Sequence, residues 1–181
     1  LINIPNIKDL LLHTAGFSYN MLDDPIGLEY EKIKLFHSDS TSLEEEIKKL
    51  AKIPLLFEPK TKWRYSVSMD VLGRIIEIVK NNSLQNILQE EIFNPLEMHE
   101  TNFSIPKNSE YRLMESYAYD TSKSELINYY PGLQKIENYQ YPLYEEKFAR
   151  GGHGLFSTIK DYSIFAKMLQ TGKSEKGKSI L

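Results

Sequence analysis

From Met69 the apolar residues recur as Met69, Leu72, Ile75, Ile76 and Val79, the i, i+3, i+4, i+7 spacing of one helix face. This is the strongest helical period in the chain. Before it Glu58-Pro59-Lys60-Thr61 reads as a turn, with proline presetting the first central position. Trp63-Arg64-Tyr65-Ser66-Val67-Ser68 then stands where a loop enters the helix, and Ser66 or Ser68 is placed to cap its free N–H groups.

The other segments follow from the same patterning. Asn6 is a predicted N-cap for a helix over 7–13, which Thr14-Ala15-Gly16 closes. Residues 21–39 have no clear period and read as loop with a short helix. Ser42-Leu43-Glu44-Glu45 is a capping box, and Leu43, Ile47, Leu50 and Ala51 give the next helix its stripe until Pro54. Asn81-Asn82 breaks the chain, and Ser83 restarts it with Leu84, Ile87, Leu88 and Ile92 until Asn94-Pro95. Residues 111–119 alternate like a strand. The tyrosine-rich stretch 120–147, with Pro131 and Pro142, reads as ordered loop with short strands. Thr158-Ile159-Lys160-Asp161 is a second capping box, opening a helix with Ile159, Tyr162, Phe165, Ala166 and Leu169 that Gly172 stops. The pattern is mainly α with short β elements, and it contains no internal repeat.

At 181 residues the chain is long enough for one domain with a substantial core. It carries a formal charge of −3 and no basic stripe, which argues against nucleic acid as a partner. Without cysteine there is neither a disulfide frame nor a thiolate metal site. No apolar run reaches the roughly 18 residues of a membrane helix. The chain opens on Leu1 and stops at Ile180-Leu181, so it reads as a single-domain excerpt, residues 1–181, of a longer protein.

Gly151-Gly152-His153-Gly154 lacks the spacing of a nucleotide-binding loop. Three glycines in four residues instead let a backbone pass close to another segment or to a ligand, with His153 the side chain on offer. His13, His37 and His99 show no i, i+4 pairing and no acidic partner at ligand spacing, so neither a metal nor a cofactor is expected. Two stretches match Ser-x-x-Lys. In Ser104-Ile105-Pro106-Lys107 the proline spoils the helical turn, and in Ser157-Thr158-Ile159-Lys160 the serine sits at a helix start where capping explains it. Both are read as chance matches.

Four ordered segments resemble one family. Ile7-Lys8-Asp9-Leu10-Leu11-Leu12-His13-Thr14-Ala15-Gly16 is similar to the Leu-Leu-x-His-Thr-Ser/Ala-Gly segment of β-lactamase-family serine hydrolases, in the class C and penicillin-binding-protein-like esterase branch. Trp63-Arg64-Tyr65-Ser66-Val67-Ser68-Met69 resembles the second motif of that family, Tyr-x-Asn or Tyr-Ser-x. Ile92-Phe93-Asn94-Pro95-Leu96-Glu97-Met98 resembles Ile-Phe-x-Pro-Leu-Gly-Met. Gly151-Gly152-His153-Gly154-Leu155-Phe156-Ser157-Thr158 resembles Gly-Gly-x-Gly-Leu-x-Ser-Thr.

The resemblance implies the helical region of a β-lactamase/transpeptidase-like α/β fold, with the nucleophile's Ser-x-x-Lys upstream of Leu1 and the Lys-Thr-Gly-type motif downstream of Leu181. It implies that Tyr65 is part of the general base. A phenol's reference pKa of about 10 makes it a poor base alone, so it needs a nearby lysine ammonium. Val67 stands where many members carry asparagine, which disfavours β-lactams and favours esters or D-amino-acid peptides. His153, Val67, Phe17 and Tyr19 are implied as substrate-cleft residues. Lys60 and Glu97 replace the glycines usual in the family, which suggests altered local turns. The implied partner is a small-molecule acyl substrate, the excerpt alone is expected to be inactive, and its uncovered docking face favours self-association. The competing reading is a non-catalytic module on the same scaffold that binds peptidoglycan peptide or a protein.

Overall fold

The computed structural model describes residues 3–20, 22–36, 42–106, 108–114, 117–128 and 148–181. The chain divides into two compact units, Leu1–Phe103 with Lys147–Leu181, and Ser104–Glu146.

In the first unit the helices begin where side chains satisfy the free N–H groups of a first turn. Helix α1 (Ile7–Leu11) is opened by a reciprocal box: Asp9 N–H donates to Asn6 Oδ1, and Asn6 N–H to Asp9 Oδ2. Helix α2 (Pro25–Lys32) occupies the stretch expected to be mostly loop. Asp24 caps it through Ile26 and Gly27 N–H, and Pro25 sits at its first position, where a missing N–H costs nothing. Helix α3 (Leu43–Leu50) starts at Ser42 as expected. Helix α4 (Ser68–Lys80) packs against α1, α3 and α5 (Leu84–Leu88). A π-helical turn over Gln89–Phe93 leads into α6 (Asn94–Leu96), which packs on α7 (Ile159–Thr171).

Two helix faces differ from their sequence patterns. On α4 the fully buried residues are Ser68, Asp70 and Gly73, while the apolar stripe is half-buried and Val79 is exposed. On α7 the inward i, i+3, i+4, i+7 set is Asp161 and Met168, buried, with Ile164 and Phe165, partly buried; of the expected stripe only Phe165 faces in, while Ile159, Tyr162, Ala166 and Leu169 point outward, Ile159 at 86% exposed. The reason is polar. Asp161 does not close the expected capping box; its carboxylate accepts from Glu100 N–H (2.8 Å) and the Thr101 hydroxyl (2.9 Å), which turns that face inward. Thr158 still caps the helix through Asp161 N–H.

One core cluster joins Tyr19, Ile26, Tyr30, Leu35, Leu50 and Val67; a second joins Phe93, Leu96, Met98 and Met168. Lys60 and Glu97 both take left-handed backbone, φ 72° and 60°. That is the conformation a glycine would favour, so the expected change of turn is not found.

In the second unit β1 (Tyr117–Asp120) pairs antiparallel with β2 (Glu125–Asn128), Tyr117 opposite Asn128 and Asp120 opposite Glu125. Of the described residues in the strand expected over 111–119, Tyr117–Tyr119 belong to β1, while Glu110–Arg112 forms a 3-10 turn instead. Residues 129–147 of the tyrosine-rich stretch, and Lys107 of the first Ser-x-x-Lys match, lie outside the described residues.

Candidate active site

The site starts from a backbone ladder. Arg64 N–H donates to His13 C=O (3.0 Å), Lys60 N–H to Thr14 C=O, Leu56 N–H to Gly16 C=O, and Val67 N–H to Ser18 C=O. Residues 13–18 therefore run alongside 56–67. Gly16 has φ +92°, and a Cβ there would stand 2.4 Å from Phe57 C=O, so no other residue fits without displacement. His13 also holds a left-handed φ, +56°.

This pairing brings four rings together. Tyr65 stacks on Tyr19 (centroids 5.6 Å, 26°) and lies against His13 (5.1 Å, 38°), whose far edge meets Trp63 (6.4 Å, 73°). Tyr65 is 47% exposed, so its ring is held on two sides while part of the residue faces solvent. Ser66 and Ser68 do not cap α4, which has no side-chain cap. Instead Ser66 Oγ lies 3.1 Å from His13 Nδ1 and 2.7 Å from Ser68 Oγ, tying the histidine to the helix start. Burial lowers the His13 pKa and favours its neutral ring.

The glycine turn docks on the same end of α4. A Cβ on Gly151 would fall 2.0 Å from Met69 C=O, and one on Gly152 3.0 Å from Asp70 Oδ2. The close approach that three glycines permit is thus to another segment of the chain. Asp70 (0% exposed) locks it in place, accepting from Arg150 Nε (3.1 Å), Arg150 Nη2 (3.4 Å) and Gly152 N–H (3.2 Å). Arg150 (8% exposed) also stacks over Phe36, 3.9 Å from its centroid. Burial pulls the Arg150 pKa down, but the Asp70 charge and its hydrogen bonds, together with Tyr19, raise it above its ordinary value. Burial raises the pKa of Tyr19, with Arg150 acting against it. His153 is exposed at the turn; partial desolvation and then the Arg150 charge lower its pKa.

A third node fixes the loop after Gly16. Asp24 Oδ2 accepts from Ser18 Oγ and Arg64 Nη2, both at 2.6 Å. Burial pushes the Asp24 carboxyl up, but the bonds from Ser18, Gly27 N–H and Arg64 together hold it below the usual range.

The structure gathers Tyr65 and Tyr19 in one ring stack and seats the His153 turn on the helix turn that follows Tyr65. Val67 must be corrected. It is 1% exposed and lies in the core beside Tyr30 and Leu50, because its backbone N–H is committed to Ser18 and its side chain turns inward. Tyr19 is largely buried and meets Tyr65 through its ring face, and Phe17 packs half-buried against the same core. Ser157 bonds to Thr101 Oγ1 (2.8 Å) and not to Lys160, which is exposed. No group of acidic or histidine side chains suited to a metal ion occurs among the described residues. No helix among them is long and apolar enough to cross a membrane. His13, Asp70 and Arg150 escaped the reading from spacing, since their partners lie dozens of residues away; only the His-Thr-Ala-Gly segment pointed at His13.

The sequence matches the family described as Beta-lactamase over residues 5–180. It is 28% identical over 176 residues to an uncharacterized protein of Mycobacterium tuberculosis, covering 97% of this chain and 41% of that protein. It is 33% identical over 97 residues to the lovastatin esterase of Penicillium rubens, covering 54% of this chain and 24% of that enzyme. Among solved structures, EstCE1, described as a hydrolase with promiscuous acyltransferase activity, superposes with a TM-score of 0.75 at 27% identity, over 96% of this chain and 48% of that one. The chain therefore spans less than half the length of each of these relatives.

Proposed function

Since the chain belongs to the Beta-lactamase family, we propose that the whole protein is a serine acyl hydrolase in which this stretch supplies Tyr65 to the general base. The observation that carries this reading is the half-exposed Tyr65, packed against the rings of His13 and Tyr19 at the foot of α4, with the glycine turn seated on the next residues of that helix. A serine hydroxyl needs a base to take its proton and donors to hold the tetrahedral oxyanion. A phenolic oxygen on a ring packed against two others meets the first need when a serine and lysine from outside these 181 residues approach it. His153, Phe17 and Tyr19 belong to the wall and support of the cleft. Val67 has no direct role in it.

The substrate is a small acyl ester. The lovastatin esterase supports this class. The 181-residue chain is inactive alone. It self-associates through apolar side chains left open, such as Ile159, Tyr162 and Leu169 on α7. An active-site serine probe labels the full-length protein and leaves the 181-residue chain unlabelled. Labelling at Ser157, or lactam turnover well above ester turnover, contradicts the reading.

A further inference from the structure

Two buried hydroxyls stand at the entry to α4 and do not cap it. Ser66 (4% exposed) and Ser68 (0% exposed) flank the start of a helix that has no side-chain cap. Their oxygens lie 2.7 Å apart, and the chain continues from Ser66 Oγ to His13 Nδ1 at 3.1 Å. The imidazole is thus bonded to the residue that directly follows Tyr65. Its ring packs on the Tyr65 ring, with 5.1 Å between centroids at 38°. The backbone is tied at the same place, where Arg64 N–H donates to His13 C=O (3.0 Å). His13 sits at φ +56°, a conformation that glycine takes without strain. That backbone therefore calls for no imidazole, and what the imidazole adds is its contact with Ser66, Trp63 and Tyr65. Burial disfavours its charged form, so it offers Tyr65 a surface rather than a charge.

We propose that His13 is a positioning residue: the Ser68–Ser66 hydroxyl chain fixes the imidazole, and the imidazole fixes the plane of the Tyr65 ring. The kinetic consequence rests on the hydrolase reading of Tyr65, whereas the geometry does not.

The test uses the full-length protein with His13→Asn, Ser66→Ala and the two combined. Asparagine tolerates positive φ and its amide still bonds a hydroxyl, so His13→Asn removes the ring and little else. Ser66→Ala keeps the ring and releases it, and reports even where His13→Asn folds poorly. Acylation by p-nitrophenyl butyrate is measured per site labelled by an active-site serine probe, so unfolded protein does not count. His13→Asn slows acylation about tenfold and Ser66→Ala about threefold, within what slight misplacement of a reacting group costs. KM stays nearly unchanged in both. The double variant is no slower than His13→Asn, because a tether without its ring has nothing to hold. In parallel, 3-fluorotyrosine at position 65 gives a fluorine resonance that shifts in Ser66→Ala, although both neighbouring rings are still present. A wild-type rate in His13→Asn, multiplicative losses in the double variant, or an unmoved resonance in Ser66→Ala overturns the proposal. If no serine probe labels the full-length protein, the hydrolase reading fails instead, and the fluorine resonance alone decides whether His13 sets the ring.

Discussion

Replacing Asp70 with asparagine keeps the side chain's shape and removes the charge that neutralises Arg150. The wild-type carboxylate accepts three hydrogen bonds, two from the guanidinium and one from Gly152 N–H. In Asp70→Asn the amide oxygen still accepts from one donor, but the amide NH2 confronts another. Arg150, 8% exposed, is then a buried cation without a counter-ion. Removing one partner of such a pair costs roughly 3–5 kcal/mol. The Phe36 ring face remains as partial compensation, which puts the expected loss at the low end, about 3 kcal/mol. At about 2–4 °C per kcal/mol, the midpoint of thermal unfolding falls by about 6–12 °C. Urea unfolding of the full-length protein reads the change directly as a lower midpoint with an unaltered slope. A loss below about 1 kcal/mol, the level of an exposed ion pair, would refute the claim that this contact is a desolvated anchor. Joint replacement of Asp70 and Arg150 by leucine and methionine should restore much of the stability, since no charge is then stranded.

Lys60→Gly should stabilise the protein by about 0.5–1 kcal/mol, because a side chain now occupies left-handed backbone (φ 72°) where glycine is unstrained; denaturant titration measures it, and a loss of stability contradicts it. His13 and His153 both have pKa values lowered in the fold, so the unfolded chain binds protons more readily and stability falls as pH drops below about 6.5. Urea midpoints between pH 7.5 and 5.5 should therefore decline in the wild type and decline less in a His13→Gln/His153→Gln variant. Equal slopes in the two would contradict the assignment.

What the sequence made legible was local. The caps at Asn6, Ser42, Ser83 and Thr158 all form, because a cap is settled within four residues. A short helix was expected within 21–39 but not placed, although Asp24-Pro25 is itself a start signal, since the residues beyond it have no apolar period. The face of α7 was misread because Asp161 turns inward to Glu100 and Thr101, a contact sixty residues away that no periodicity encodes. At the site, Tyr65 was visible from its place ahead of a helix. The function of the glycines followed only from seeing Met69 C=O beneath Gly151. Val67 was assigned to the cleft by motif position, while the backbone bond to Ser18 sends its side chain into the core. Arg150 and Asp70 stand eighty residues apart in the chain, and nothing in either neighbourhood announces the other.

The central claim is that the Tyr65 oxygen takes part in proton transfer during acylation. Its most direct test is the single-turnover acylation rate of the full-length protein carrying Tyr65→Phe, which preserves the ring between His13 and Tyr19 and deletes one oxygen. The rate should fall by about a hundredfold or more, the usual contribution of a positioned acid–base group, with the urea midpoint unchanged. An acylation rate within a few-fold of wild type would contradict the account.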